Sequence, residues 1–288
     1  MNVRDFTFDA YDRLVGAAVD ADYEVLTVAE YLRAETLPER YLILRHDVDR
    51  RVEIARSMAR LEARHGVAST YYFRTSTFEP EIVAEMAEMG HEIGYHYEDL
   101  ARARGDRRRA HRQFAANLAA FREHATIETA CSHGSPLSRH LNLDIWEGER
   151  SPAEYDLLGE AYLDVEKDDE DPTLPSYLSD TGRRWGTVDP DFGLVETTDD
   201  FVEFLEAGDC PRLYVLAHPG RWSRSRLEFV DRLAWDVAAE TGKIAVKPAH
   251  YAQRGVANAT GGVVRAVGTT AAVAARIAQA TAPRGRER

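Results

Sequence analysis

Short apolar runs ending in acidic or imidazole-bearing residues alternate along this chain with longer amphipathic segments, and few folds accommodate that rhythm. Tyr41 to Arg45 reads as a buried strand, and Arg50 to His65 as a helix with Val52, Ala55, Met58, Ala59 and Leu61 at helical intervals and Gly66 at its end. Ser69 to Phe73 is the next strand. Pro80 to Met89 is a helix opened by proline and stopped by Gly90, and His91 to His96 is a third strand. A long helix over Arg107 to His124 carries Phe114, Leu118 and Phe121 on one face, and Ile127 to Ser132 makes a fourth strand. Before these lie helices over Thr7 to Val19 and Thr27 to Glu35, the second opened by a Thr cap. After them come an acidic irregular stretch, Ser151 to Pro175, and a strand over Tyr177 to Ser179. A helix over Thr198 to Ala207, a strand over Arg212 to Ala217 and a helix over Leu227 to Thr241 complete the series. Strand-then-helix alternation predicts a mainly parallel sheet, open or closed into a barrel.

At 288 residues the chain is long enough for one large α/β core. The expected organisation is a barrel domain over 1–252 and a C-terminal extension over 253–288. There the composition turns to Ala, Val, Thr and Gly with a basic end, Arg284 to Arg288. Arg265 and Arg276 interrupt the apolar character of that extension, so no membrane span is expected from it, and it reads as a low-order or helical appendage. The formal charge of −13 argues against a nucleic-acid partner, because a phosphate backbone would be repelled. Cys131 and Cys210 form no metal-type pair and no disulfide framework. With no signal-like amino terminus, they lead to the expectation of a cytoplasmic protein. Oligomeric state is not legible.

In parallel α/β folds ligands collect at the carboxyl ends of the strands. Asp47, Asp49, His96, His133, Asp180 and His218 all fall at or just past such ends. Six polar groups from five strands are hard to explain by packing, since burying uncompensated charge is costly. Together they point to a metal-assisted hydrolase. Asp47 or Asp49 has a simpler alternative, capping the helix near Arg50. His91 is read as structural and bonded to backbone, facing away from His96. His65, His111, His124, His140 and His250 receive no role.

These residues, in this order, resemble the polysaccharide deacetylase family, carbohydrate esterase family 4, also called the NodB-homology domain. The resemblance runs from about Tyr41 to Trp222. The family's strand-end aspartates look like Asp47 and Asp49 in Arg45-His46-Asp47-Val48-Asp49. Its Gly-His-Glu-Ile-Gly motif leading to a His ligand is matched by Gly90 to His96. The stretch Asp180 to Trp185 is similar to its Asp-then-Trp motif, and Leu216-Ala217-His218 to its strand-end histidine. The usual second metal ligand, four residues after the first His, is here Leu100. The aspartates are separated by Val48, and the Arg of the third motif is missing, the loop reading Ser132-His133-Gly134-Ser135-Pro136.

The resemblance implies a NodB-like, distorted (β/α) barrel of about seven parallel strands. It implies Asp47 as general base and His218 as general acid. A divalent metal ion, zinc first, would be held by Asp49 and His96, with His133 as the candidate third ligand. Tyr97, Asp180, Trp185, Arg221 and Trp222 are the expected substrate-binding residues, with Arg183 as a further candidate for an anionic substituent. The implied activity is hydrolysis of an N-acetyl or O-acetyl group on a sugar or glycan precursor. The alternatives are a catalytically weakened, glycan-binding relative and a metal-dependent amidase acting on a small non-sugar amide.

Overall fold

The structure, a computed structural model, describes residues 5–135, 137–148, 150–165, 174–181, 185–187, 194–224 and 228. The helix expected over Leu227 to Thr241, apart from Glu228, the extension over 253–288 and Arg183 lie outside the described residues. Ten strands are described: β1 Glu24–Leu26, β2 Tyr41–Val48, β3 Thr70–Phe73, β4 Glu92–Tyr97, β5 Ile127–Ser132, β6 Gly159–Glu160, β7 Ser176–Ser179, β8 Gly186–Thr187, β9 Leu194–Val195 and β10 Arg212–Ala217. The helices are α1 Phe8–Asp20, α2 Val28–Arg33, α3 Val52–Arg64, α4 Pro80–Glu88, α5 Asp99–Arg102, α6 Arg107–Arg122 and α7 Thr198–Ala207.

Seven strands hydrogen-bond in the order β6-β5-β4-β3-β2-β10-β7, every pairing parallel, and β1 adds a further parallel pairing to the start of β2. The sheet curls into a distorted (β/α) barrel. Residues just past β6, the first strand in that order, meet β2 and β10, the fifth and sixth. The Tyr214 hydroxyl donates to the Ala161 carbonyl at 3.2 Å, and the Arg45 guanidinium lies 4.3 Å from the centre of the Tyr162 ring.

Side-chain alternation divides β2 between two environments. Tyr41 and Ile43 join Tyr72, Cys131, Ala161 and Tyr214 in the lumen. Leu42 and Leu44 pack outward with Tyr11, Leu14, Met58 and Leu61 of α1 and α3, and Val48 packs with Val52 and Ala55. Lumen space is tight enough to dictate one glycine. A Cβ on Gly94 would stand 2.3 Å from the Tyr72 ring, so any side chain there would displace that tyrosine.

Most expected elements are present with ends shifted by one to three residues. The main differences have physical causes. β2 runs to Val48, beyond Arg45, because Arg45 and Asp47 face the lumen as partners of each other. β1 has only three residues, too few for periodicity to reveal. Among its described residues, the acidic stretch from Ser151 contains a 3₁₀ turn over Pro152–Tyr155 and β6. Thr27 caps α2 as expected, in a reciprocal capping box with Glu30. Among the described residues, no helix is long and apolar enough to cross a membrane.

Candidate metal centre

Asp47 and Asp49 stand at the carboxyl end of β2, where the chain turns before α3. Neither caps that helix. Its N-cap is Arg51, in the left-handed region at φ 59°, with no side-chain cap bond. The turn is fixed from beneath: the Thr77 hydroxyl donates to the Val48 carbonyl at 2.7 Å, and Arg74 Nη1 to the Asp49 carbonyl at 3.2 Å.

Asp47 is buried against Arg45, which points the same way two residues earlier. Arg45 Nε and Nη2 donate to Oδ1 and Oδ2 at 2.8 and 2.7 Å, a two-pronged charge-assisted pair. Burial alone would raise the Asp47 pKa, but Arg45 and then His96 overcome it and hold the carboxyl at about 2. The Arg45 guanidinium lies within 6.0 Å of the ring centres of Tyr72, Tyr162 and Tyr214, which complete its surroundings in the lumen.

His96 ends the lumen-facing row of β4. Its Nδ1 is 3.0 Å from the Cys131 carbonyl of β5, an atom that only accepts, so Nδ1 carries the hydrogen and Nε2 is left to face the mouth. There it stands 3.5 Å from Asp49 Oδ1 and 3.6 Å from Asp47 Oδ2. His133, just past β5, does the same from the other side. Its Nδ1 is 3.1 Å from Glu98 Oε2 and 3.1 Å from Ser135 Oγ, while Nε2 is 3.4 Å from Asp49 Oδ1.

Three ligand atoms, Asp49 Oδ1, His96 Nε2 and His133 Nε2, thus lie within 4.8 Å of one another. Asp49 Oδ1 is buried and has no hydrogen-bond partner. Lone pairs aimed at one point repel unless a proton or a cation lies between them. The pressure shows in the titration of the group. Burial disfavours charge on both His96 and Asp49, yet the neighbouring carboxylates raise the His96 pKa, and His96 with His133 holds the Asp49 carboxyl well below its usual range. The separations also suit a divalent ion. Tetrahedral zinc with bonds of about 2.0–2.2 Å places its ligands roughly 3.3–3.5 Å apart, the spacing seen here from Asp49 to each histidine. One oxygen and two imidazole nitrogens make a donor set for which zinc is a natural choice.

A second trio, Asp47, His96 and Cys131, shares the His96 nitrogen. It fits a cation less well. Burial pushes the Cys131 thiol up, Arg45 Nη2 already lies 2.6 Å from its sulfur, and Arg45 occupies both Asp47 oxygens.

His218, just past β10, faces the same mouth. It stands close enough to Asp47 and Asp49 to favour their ionised forms. Its Nδ1 is 2.7 Å from Asp180 Oδ1, and its main-chain N–H donates to Asp180 Oδ2 at 2.8 Å. Asp180 also accepts from Arg221 Nη1 at 3.0 Å and from Trp222 Nε1 at 3.2 Å. Burial would raise its pKa, but Arg221 and His218 reverse the sign and keep it ionised. An ionised Asp180 fixes the hydrogen of His218 on Nδ1 and leaves Nε2 for the mouth.

Several expected substrate contacts are placed elsewhere. Asp180 is fully buried and committed to His218, and Arg221 spends Nη1 on the Asp180 carboxylate and carbonyl. Tyr97, Trp185 and Trp222 are buried, so none offers a ring face for stacking on a sugar. The Tyr97 hydroxyl accepts from Trp146 Nε1 at 2.9 Å, Trp185 Nε1 donates to Thr198 Oγ1, and Trp222 packs on Phe6 and Tyr11. Leu100 is in the core, away from any ligand role. His91 is structural as expected: Nε2 meets the Ala59 carbonyl at 2.9 Å, and Nδ1 accepts from Ser69 N at 3.2 Å. Sequence reasoning missed Arg45 and Glu98 as partners of Asp47 and His133. The alternation of β2 carries a signal for Arg45, while nothing local marks Glu98.

No family model and no curated protein matches the sequence. Solved structures of one protein, the CE4 family pseudoenzyme BA3943 from Bacillus anthracis, do resemble the fold. A mutant with restored enzymatic activity is similar at 14% identity and a TM-score of 0.38. The match covers 70% of this chain and 66% of that one, just under two thirds. A further mutant is similar at 13% identity and TM-score 0.38, over 72% and 67% of the two chains. The wild-type form is similar at 14% and 0.36, over 68% and 62%.

Proposed function

We propose that this chain is a metal-dependent deacetylase of the polysaccharide-deacetylase kind, hydrolysing an N-acetyl or O-acetyl group on a sugar or glycan precursor in the cytoplasm. What carries the reading is the convergence of Asp49 Oδ1, His96 Nε2 and His133 Nε2 on one point, with Asp47 and His218 beside it. Asp49, His96 and His133 would hold a divalent ion, zinc by its donor set, which would supply Lewis acidity at the acyl carbonyl and lower the pKa of a bound water.

The remaining chemistry belongs to the chain. Asp47, kept ionised by Arg45, accepts the proton of the attacking water. His218 delivers a proton from Nε2 to the departing amine or alcohol oxygen. Asp180 holds the opposite ring hydrogen and balances the imidazolium charge that this role requires.

A second reading, a catalytically weakened glycan-binding relative, draws on the same Arg45. Two donors on Asp47 and a pKa of about 2 make a weak base. Acetate release separates the two. The purified chain should free acetate from N-acetylated sugars, lose that activity to a chelator and regain it with zinc. Tight binding of one zinc per chain with no acetate from any acetylated glycan would leave the weakened reading standing.

A further inference from the structure

The geometry points to Glu98 as the positioning residue that makes His133, a loop histidine, a metal ligand in this chain. The inference rests on the reading of Asp49, His96 and His133 as a metal centre, and adds to it the device that brings the third donor there. The position where the resembling family keeps its second ligand holds Leu100, buried in the core, so the helix that starts after β4 contributes no donor. What that segment contributes is Glu98, immediately before α5.

Glu98 Oε2 lies 3.1 Å from His133 Nδ1 and accepts from Arg74 Nη2 at 2.7 Å, while Oε1 accepts from Arg102 Nε at 2.5 Å. A carboxylate so surrounded only accepts. It therefore obliges His133 to carry its hydrogen on Nδ1 and to turn the Nε2 lone pair toward Asp49. The Ser135 hydroxyl, also 3.1 Å from Nδ1, can act as donor or acceptor and cannot impose that choice by itself. Arg74 joins the two halves of the site, since its other terminal nitrogen donates to the Asp49 carbonyl at 3.2 Å.

The backbone of the loop is pinned to the same segment. His133 N–H donates to the Tyr97 carbonyl at 2.9 Å. Asn142 Nδ2 donates to the His133 carbonyl at 2.7 Å, while Asn142 Oδ1 accepts from the Ala101 N–H at 2.9 Å. Glu98 and Asn142 together clamp the loop after β5 onto the start of α5, ring by one residue and backbone by the other. Carboxylates that orient a ligand histidine commonly account for about 10–100-fold in metal affinity.

The test is zinc affinity of the full chain, by competition with a chromogenic chelator, in a double-mutant cycle. Glu98→Gln should weaken binding by about 10–100-fold, and in a His133→Ala background the same change should cost nothing further. Cobalt loading gives a second readout: Glu98→Gln should alter the visible absorption of the bound ion, which a purely structural loss of stability would not. The tautomer can be read without any variant. Nitrogen NMR of the metal-free wild type should find the neutral His133 ring protonated at Nδ1. Wild-type affinity in Glu98→Gln, an equal loss in the His133→Ala background, or a ring protonated at Nε2 would each overturn the inference and leave the metal reading intact. A wild-type chain that binds no zinc would overturn both.

Discussion

Two histidine–carboxylate clusters flank the end of β2, one at His46 and one at Asp49 three residues on, on opposite faces, and they differ in what is left over. On the helix-facing side, His46 meets Glu62 of α3 at 2.8 Å, and Glu62 also accepts from Tyr11, from Ser69 at 2.6 Å and from Tyr71 at 2.9 Å. Both Glu62 oxygens are satisfied, and the His46 ring stacks on Tyr71 at 4.3 Å. Its Nδ1 is the buried atom of that cluster without a hydrogen bond. At the mouth, Asp49 and two histidines stand 3.4 and 3.5 Å apart, too far for good hydrogen bonds and well spaced for an ion. Similar residue types serve two ends. One carboxylate has both oxygens hydrogen-bonded inside the fold, and the other has a buried oxygen without a hydrogen bond.

The contrast breaks most easily by substitution. Asp49→Ala or His96→Ala should reduce bound zinc from one per chain to none and lower acetate release by on the order of 10³-fold, with apo stability changed by less than about 1 kcal/mol in Asp49→Ala and by about 1–3 kcal/mol in His96→Ala, which strands the buried Cys131 carbonyl. Plasma emission and chemical denaturation measure the two quantities. Glu62→Ala should do the reverse, costing about 3–5 kcal/mol of stability by stranding buried His46 and the hydroxyls, with zinc affinity unchanged. If Glu62→Ala abolished zinc binding in a folded chain, the two clusters would be one system.

Acid sharpens the same distinction. Burial works against Glu62 ionisation, but His46 and then His91 hold its pKa at about 2, below its ordinary 4.5. Its contribution is therefore complete above pH 4.5 and is lost as pH falls toward 2. A lowering of that size is worth about 3 kcal/mol at most. The stability gap between wild type and Glu62→Gln, from urea titrations, should be constant at neutral pH and shrink between pH 4.5 and 2. The smallest effect is expected where the clusters approach each other. Trp222 packs on Tyr11 at 4.8 Å between ring centres and donates to Asp180. Trp222→Phe should cost about 1 kcal/mol in stability and a few-fold in acetate release, measured by thermal melting and by the acetate assay.

Much of the scaffold was legible because parallel strands between amphipathic helices leave a strong local pattern, and because glycine, proline and threonine mark the ends of α2, α3 and α4. Asp47, Asp49, His96 and His218 were legible for a related reason: each ends a recognisable strand, where this kind of fold gathers ligands. The aromatic residues were not. Burial of Tyr97, Trp185 and Trp222 depends on partners far along the chain, such as Trp146, Phe6 and Thr198, and no window of sequence distinguishes a core tryptophan from one on a rim. Glu62 was hidden similarly. It follows Leu61 in a charged helix and reads as solvent-facing, until the tyrosines of α1 and β3 close over it. Glu98 and Arg45 act through side-chain direction, which spacing only hints at.

The coordination of zinc itself decides whether Asp49, His96 and His133 form one site. X-ray absorption at the zinc edge, on chain loaded with one equivalent, should show only nitrogen and oxygen ligands at about 2.0–2.2 Å, two of them imidazole, as Asp49, His96 and His133 require. A sulfur ligand near 2.3 Å would assign the ion to Asp47, His96 and Cys131. That result would contradict the account, because it would consume the proposed base and leave His133 outside the site.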